Sequence, residues 1–402
     1  MLTKLSLYGM KSRTKIMYYA IGIMALISAL RLGYEFWRLV GMADPNGAID
    51  LILRYEEVEW WFAGESTHRT YRAFGYTPAS YVFLWLPFGW LELWPARWLW
   101  ALTSVVLLAG LIRFFLKESE AHTRLERIFL IIIFLSVYPT AITIGNGQLG
   151  IHLLLAIAGA VLLVRPGQKT SITKDMLAAL FFIAGLTKVS FGVPFFWILL
   201  FMPGRLRPAV LVVTGYVLFT IFGASFQPEP LFVLMKQLLS LGTAPVAAEG
   251  GAHLGRLMDL LGWTDFNALG SLFILGALGV WTWFYRSSDP LVLLGVTGIV
   301  ARLWTYHRMY DDILILLPLV ALYRIAKRYG AGEKEGLIAG MFFVCGWLGL
   351  EMPGTLGRMS FPWNLPYDIG QTALWIAMLV FLVFHVRKER APLFPYSQGV
   401  TP

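Results

Sequence analysis

Long apolar runs, separated by short basic or longer polar stretches, dominate the chain. A helix needs about 20 apolar residues, range roughly 17–25, to cross a bilayer core. The run from Met17 to Val40 reaches that length, and further apolar runs follow along the whole chain. This pattern predicts an all-α polytopic membrane protein with about 12 transmembrane helices. Because no long polar stretch divides the runs, we expect a single membrane-embedded domain over residues 1–402.

Lysine and arginine mark alternate ends of these runs, which orients them. Basic residues accumulate in cytoplasmic loops of polytopic proteins. The basic stretch before Met17 therefore predicts a cytoplasmic N-terminus, and the basic stretch after Val386 predicts a cytoplasmic C-terminus. We expect a multi-pass protein of the inner (plasma) membrane, anchored by an uncleaved first span.

Composition supports this prediction. The chain is 57% apolar and only 14% charged, and its mean hydropathy is +0.65. In a soluble domain roughly a quarter of all residues would be charged. The net charge of +9 reflects cytoplasmic loops and is no signal for nucleic acid.

Two polar stretches fall on the exterior side, at residues 43–94 and 226–266. The first is the more acidic and is expected to contain short interfacial helices. One of these covers Ala79 to Trp94, which is short for a span and is interrupted by Pro87. Tryptophan is enriched at the membrane–water boundary, and this run contains Trp85, Trp90 and Trp94. The run from Ile128 to Ile144 is predicted as one span that ends in Tyr138-Pro139 and the loop I-G-N-G-Q.

Asp50 is the acid of greatest interest in the first exterior stretch. Asp50, Arg54 and Glu57 have the spacing i, i+4, i+7 and share one face of a predicted short helix. Asp50 could be a first-turn acid that is stabilised by the helix dipole and paired with Arg54. It could instead be a general base for an acceptor hydroxyl. Glu57 and its neighbours Glu56 and Glu59 are expected to be surface charges.

Two further features lie at exterior ends of spans. Glycines flank Asn146 in the turn Ile144 to Gln148, which could be only a tight turn or could present amide groups to a polar ligand. Lys188 could extend its amine to the interface or bind a phosphate.

The stretch from Trp304 to Asp312 concentrates polar residues at one exterior boundary: Tyr306, His307, Arg308, Tyr310, Asp311 and Asp312. Adjacent acids could hold a metal. We favour a site without a metal, because no further acidic cluster matches this pair. No Walker A loop, G-x-S-x-G, H-E-x-x-H or Cys/His zinc spacing occurs, and no cofactor is expected.

Several short motifs, in order, resemble those of the GT-C class of polytopic glycosyltransferases. More narrowly, they are similar to glycosyltransferase family 87, the DUF2029 group that includes polyprenyl-phosphate-mannose-dependent mannosyltransferases of mycobacteria. The motifs are D-L-x-x-x-Y from Asp50 to Tyr55, W-x-x-G at Trp61 and Gly64, Y-x-P-A-x-Y from Tyr76 to Tyr81, G-Q-L-G from Gly147 to Gly150, A-G-L-T-K ending at Lys188, and H-x-x-Y-D from His307 to Asp311. The chain departs from the family pattern at Thr77, Gly150 and Val189.

The resemblance implies a GT-C fold and an inverting glycosyltransferase that uses no metal. The sugar, mannose or another hexose or pentose, would pass from a polyprenyl-phosphate donor to a lipid-linked or cell-envelope glycan acceptor at the exterior face. Asp50 would be the general base, and His307 would position donor or acceptor. The predicted substrate-binding residues are Tyr55, Tyr76, Asn146, Gln148, Lys188, Arg256, Arg308, Tyr310 and Asp311. Arg302 is a further exterior cation for the donor phosphate.

Two other classes of function remain open at this point. A transporter or flippase for lipid-linked glycans would place charges inside the spans, whereas here almost all charges lie at span ends. A polymerase or ligase of the O-antigen type would have a dominant late exterior loop rich in arginine and histidine, which the 226–266 stretch matches poorly.

Overall fold

The structure is a computed structural model that describes most of the chain. It covers residues 2–43, 46–65, 76–167, 171–242, 262, 267–352, 356, 359–360 and 363–390. Within these ranges the chain forms helices and no strand, which confirms the predicted all-α class. The helices are α1 Leu2–Gly41, α2 Ile49–Phe62, α3 Pro78–Phe88, α4 Leu93–Glu118, α5 Arg124–Ser136, α6 Tyr138–Gly145, α7 Gly150–Val164, α8 Ile172–Gly185, α9 Val189–Phe201, α10 Leu206–Ala224, α11 Leu231–Gly242, α12 Asn267–Tyr285, α13 Pro290–Leu303, a 3-10 helix Met309–Ile315, α14 Leu316–Tyr329, α15 Lys334–Glu351 and α16 Leu365–Arg390.

Four helices of the described chain are long and apolar enough to cross a membrane, and a fifth span results if one bent pair is counted. The four are Tyr18–Gly41 of α1, α4, α10 and Leu365–Lys388 of α16. This establishes a multi-pass membrane protein. The predicted number of about 12 spans stays a prediction, because several other apolar helices are short. A helix of 14 residues is roughly 21 Å long at 1.5 Å per residue, less than a bilayer core of about 30 Å.

The bent pair corrects the predicted single span from Ile128 to Ile144. The structure divides it into α5 and α6, which meet at an angle of 53°. Val137 between them has an extended conformation, and Pro139 lies in the first turn of α6. Proline lacks an N–H donor and is tolerated in a first turn, where that donor has no partner anyway. The break therefore follows from local chemistry.

The predicted interfacial helix is shorter than expected. It is α3, which ends at Phe88, whereas Trp94 belongs to the first turn of α4. Trp85, Trp90 and Trp94 have exposed fractions of 40%, 64% and 52%. Exposed indole rings of this kind suit the boundary between lipid and water.

Ion pairs tie together several helix ends at one end of the bundle. Arg324 near the end of α14 pairs with Asp289 before α13 at 2.5 Å, and Lys327 pairs with Glu126 of α5 at 2.9 Å. Glu118 at the end of α4 pairs with Arg165 after α7 at 3.6 Å. The basic loops predicted to be cytoplasmic therefore share one end of the molecule.

The opposite end contains the C-terminus of α1, which is capped by Arg97 of α4. The Arg97 guanidinium donates to the carbonyls of Leu39 and Met42 at 2.6 Å each, and to that of Arg38 at 3.1 Å. The last carbonyls of a helix have no partner within it. This cap joins α1 to α4 beside the helix that carries Asp50.

Candidate functional site

The N-terminus of α2 is bonded to the turn between α6 and α7. The backbone N–H groups of Asp50 and Leu51 both donate to the carbonyl of Asn146 at 3.1 Å, and that of Ala48 donates to Gly145 at 3.3 Å. Ala48 is buried and left-handed, with φ 52°. Such a conformation is uncommon for alanine, and it directs the chain into α2 so that Asp50 lies in its first turn. These backbone bonds to the turn therefore fix the position of Asp50.

Close packing leaves no room for side chains at two glycines of this turn. Gly147 has φ +69°, and a Cβ added there would lie 2.4 Å from Cβ of Leu51. A Cβ at Gly145 would lie 1.8 Å from Oε2 of Glu35 in α1. Glycine supplies both the left-handed conformation and the close approach of backbones.

Asn146 is engaged by the protein itself. Its side-chain oxygen accepts from Arg38 at 3.0 Å, and Arg38 also pairs with Glu35 at 2.6 Å. The predicted ligand-binding amide therefore serves to fasten the turn to α1. Gln148, the other predicted residue of the turn, has only 8% of its surface exposed.

The side chain of Asp50 is half-buried. Among the described residues it has neither an ion-pair nor a side-chain hydrogen-bond partner, so the expected pair with Arg54 does not form. Its charge acts on two tyrosines from distant parts of the chain. Burial raises the pKa of Tyr310 well above its ordinary value, and the charge of Asp50 raises it further. Burial also raises the pKa of Tyr76, with Asp50 among the contributing charges. These three residues form the centre of the candidate site.

Arg54 pairs with Glu57, which corrects the prediction that Glu57 is a surface charge. The ion pair is 2.6 Å long, and the Glu57 side chain is fully buried. The guanidinium of Arg54 also lies over the ring of Tyr76, 4.5 Å from its centroid. Tyr81 of α3 reaches Glu57 with its hydroxyl at 3.5 Å. Helical spacing predicted that Asp50, Arg54 and Glu57 share one face of α2. It could not predict that α3 covers this face at Glu57.

Lys188, Asp311 and His307 form a second cluster. The Lys188 amine donates to both carboxylate oxygens of Asp311, at 2.7 and 2.6 Å, and His307 Nδ1 lies 2.9 Å from the same carboxylate. Burial alone would raise the pKa of Asp311, but Lys188 and His307 outweigh it and hold that pKa below its ordinary value. Lys188 thus has a partner in the protein and needs no phosphate to explain it.

His307 is 1% exposed and is buried behind Asp311. Burial lowers its pKa, and the neighbouring Asp311 carboxylate only partly opposes that shift. The imidazole is therefore neutral, and its bonding assigns the proton to Nδ1, which donates to Asp311. Nε2 is buried and has no hydrogen-bond partner among the described residues. His307 thus acts on the site through Asp311.

A third buried ion pair anchors the 3-10 helix. Asp312 pairs with Arg302 of α13 and accepts from Gln371 of α16 at 3.3 Å. The hydroxyl of Thr143 in α6 donates to the backbone carbonyl of Tyr310 at 3.3 Å. Three helices from separate parts of the chain thereby fix the position of Tyr310 and Asp311.

The structure brings together Asp50, Tyr76 and Tyr310, and it places Lys188, Asp311 and His307 beside them. Their charges act on one another, since Asp311 contributes to the raised pKa of both tyrosines after burial, the largest cause. Arg308 lies in the same stretch, is half-buried, and donates through Nε to the Tyr306 hydroxyl at 3.0 Å.

Two predicted site residues do not join this group. Tyr55 lies five residues after Asp50, on another side of α2, and its hydroxyl donates to the carbonyl of Leu91 at 3.0 Å. This contact ties α2 to the segment between α3 and α4. Arg256 lies outside the described residues.

A metal is not needed to balance the adjacent acids Asp311 and Asp312, since each is paired with its own cation. The described part of the chain contains no group of three or more His, Cys, Asp or Glu residues placed to hold a metal ion.

We predict that Gly147→Ala destabilises the protein more than Gly167→Ala does. Both glycines have positive φ, +69° and +83°, but a Cβ at Gly167 meets nothing within 4 Å. The difference in stability between the two variants therefore measures the collision with Leu51. Overpacking of this kind costs about 1–3 kcal/mol. Thermal unfolding of the purified variants measures it. Equal losses in the two variants would show that the turn does not press against α2.

Comparison with known proteins identifies the family. A model of glycosyltransferase family 87 matches residues 74–306, more than half of the chain. No curated protein and no solved structure gives a match. Tyr76, the turn at 144–148 and Lys188 lie inside the matched region, whereas Asp50 and His307 lie outside it. The match favours a glycosyltransferase over the transporter and ligase alternatives. The chain belongs to glycosyltransferase family 87 and is a multi-pass membrane glycosyltransferase.

Proposed function

We propose that the protein is an inverting glycosyltransferase of the GT-C fold, with the whole chain forming one membrane-embedded domain. It transfers a sugar, mannose or another hexose or pentose, from a polyprenyl-phosphate donor to a lipid-linked or cell-envelope glycan. The observation that carries this proposal is the carboxylate of Asp50, which has no ion-pair partner in the part of the chain that the structure describes, is fixed by backbone bonds to the turn, and acts through its charge on Tyr76 and Tyr310. The buried acids Glu57, Asp311 and Asp312 are each paired with a cation, whereas an acid without such a partner suits a general base.

In the proposed reaction Asp50 accepts the proton of an acceptor hydroxyl. The hydroxyl oxygen forms a bond to the anomeric carbon of the donor sugar as the bond from that carbon to the phosphate oxygen breaks. Attack from the side opposite the phosphate inverts the anomeric configuration. Polyprenyl phosphate leaves with the bonding electrons, and Asp50 later releases its proton to water. A positioned general base contributes typically about 10²–10⁴-fold to such a step.

The leaving phosphate gains negative charge, which a nearby cation stabilises. Three cations of the site are already paired with buried acids: Arg54 with Glu57, Lys188 with Asp311, and Arg302 with Asp312. Arg308 also has contacts within the protein, but its side chain is only half-buried and its charge acts on Tyr310, so we assign the phosphate contact to it. Lys188 and His307 then act as positioning residues, because both hold Asp311 and the Lys188 amine lies over the Tyr310 ring, 5.2 Å from its centroid. Tyr76 and Tyr310 are the proposed walls for sugar and acceptor.

We place the site at the exterior face, with both termini in the cytoplasm. The support is the distribution of charge: basic residues crowd the end opposite the site, where Arg324, Lys327 and Arg165 make their ion pairs. Lysine and arginine are retained on the cytoplasmic side of membranes. A polyprenyl-phosphate sugar is confined to the bilayer by its lipid, which is consistent with a site at a membrane boundary lined by exposed tryptophans.

We predict that Asp50→Asn lowers the transfer rate by at least about 10²-fold, because an amide cannot accept the proton. The measurement uses protein reconstituted in nanodiscs, polyprenyl-phosphate mannose as the first donor tested, and a membrane lipid extract as acceptor. Glu59→Gln is the matched control: it makes the same change at an exposed position of the same helix and leaves the rate unchanged. Full activity of Asp50→Asn, in protein with a normal melting temperature, would refute the role of Asp50.

We also predict that Arg308→Met raises KM for the donor about tenfold or more, since a hydrogen bond to a charged group is worth roughly 1.5–3 kcal/mol. Arg308→Lys keeps the charge but loses the planar guanidinium, so its donor KM should lie between that of the wild type and that of Arg308→Met. Initial rates at varied donor concentration give these values. A donor KM that does not change in Arg308→Met would assign the phosphate to another cation.

A further inference from the structure

Glu57 has an environment that is costly for a carboxylate. Its side chain is fully buried, and its oxygen Oε1 has no hydrogen-bond partner among the described residues. Moving a charge out of water is repaid only by good pairing. The described groups that face Glu57 are Arg54 and Glu56 of α2, Tyr81 of α3, and Tyr76 before α3. Its ion pair with Arg54, at 2.6 Å, is the single strong compensating contact among them.

Arg54 lies between two acids on one face of α2. Asp50 precedes it by four residues and Glu57 follows it by three, and both spacings bring side chains together on a helix. In the structure Arg54 pairs with Glu57, and Asp50 has no ion-pair partner among the residues that the structure describes. The alternative pair is sterically ordinary, because an acid four residues before a base is the favourable orientation on a helix. The charge of Asp50 already acts on the Arg54 guanidinium.

We propose that Glu57 is a positioning residue that holds Arg54 away from Asp50 and thereby keeps the reacting carboxylate unpaired. This inference rests on the proposed role of Asp50 as general base. When Glu57 carries no charge, Arg54 turns to Asp50, occupies the carboxylate and slows proton transfer. The stacking of Arg54 over Tyr76 is also lost when Arg54 moves, so one wall of the site changes with it.

The ionisation of Glu57 makes this device sensitive to pH. Burial raises the pKa of Glu57 to about 7, and Arg54 and Tyr81 only partly oppose that shift, while Glu56 adds to it. Above this pKa Glu57 is negative and holds Arg54. As pH falls through about 7, Glu57 gains a proton and releases Arg54 to Asp50. The transfer rate therefore falls on the acid side of neutrality.

The test is a double-mutant cycle of Glu57→Gln, Arg54→Met and their combination, with Glu59→Gln as the exposed control. Methionine keeps an unbranched chain against Tyr76 but cannot pair with an acid. Glu57→Gln imitates the protonated state, so we expect kcat to fall about tenfold at pH 8, within the range of coupling between neighbours. We further expect its decline near pH 7 to disappear. The double variant should match Arg54→Met alone, because Glu57→Gln harms transfer only while Arg54 is present.

Two results would overturn the inference: wild-type rates and pH profile in Glu57→Gln, or an equal loss from Glu57→Gln with and without Arg54. Either one, with Asp50→Asn inactive, leaves the proposed function intact. An active Asp50→Asn variant overturns both. If Glu57→Gln does not fold, the pH profile of Arg54→Met alone tests the inference. This variant should transfer sugar without the decline near pH 7, and retention of that decline would contradict the inference. The donor is the polyprenyl-phosphate sugar that the wild type uses fastest, beginning with mannose.

Discussion

Three backbone hydrogen bonds between the start of α2 and the turn at Gly145 and Asn146 determine where the candidate site can form. They fix the first turn of α2, and with it Asp50, against helices that end at the same side of the bundle. Backbone bonds set this position without using the carboxylate, so Asp50 keeps its side chain available. Gly147 permits the contact, because any Cβ there would collide with Leu51.

Near the start of α2, three buried acids are each neutralised by one cation. Arg54 with Glu57, Lys188 with Asp311, and Arg302 with Asp312 each join a cation to a buried acid. Breaking a buried pair leaves an uncompensated charge and is strongly unfavourable, so the pairs of Asp311 and Asp312 define the geometry firmly. Within the described ranges the Asp50 carboxylate has no such cation, and its charge raises the pKa of Tyr76 and Tyr310 further, after burial. The family match supports glycosyl transfer as the chemistry performed here.

Sequence alone predicted the helical membrane class and most helix positions, because spans are long apolar runs. It also grouped Asp50, Tyr76, Tyr310 and Asp311, because topology places their segments at the same side. It did not predict the break at Val137, since Pro139 looks the same inside a kinked span and at a new helix start.

Contacts between distant segments are what the sequence could not predict. The burial of Glu57 depends on Tyr81 of another helix, and the use of Asn146 depends on Arg38 of α1. Periodicity reports which residues share a face, but not what covers that face. Tyr55 was assigned to the site by a motif, whereas the turn of α2 directs its hydroxyl to Leu91. A sequence motif does not indicate where the side chain of Tyr55 points.

The most direct measurement of the central claim is donor choice and stereochemistry in one assay. Purified protein in nanodiscs would receive a panel of polyprenyl-phosphate sugars and, separately, nucleotide sugars, with the product linkage determined by NMR. Transfer from a polyprenyl-phosphate sugar, with inversion at the anomeric carbon and release of polyprenyl phosphate, is the result predicted here. Transfer from nucleotide sugars in the absence of a lipid-linked donor, or retention of configuration, would contradict it.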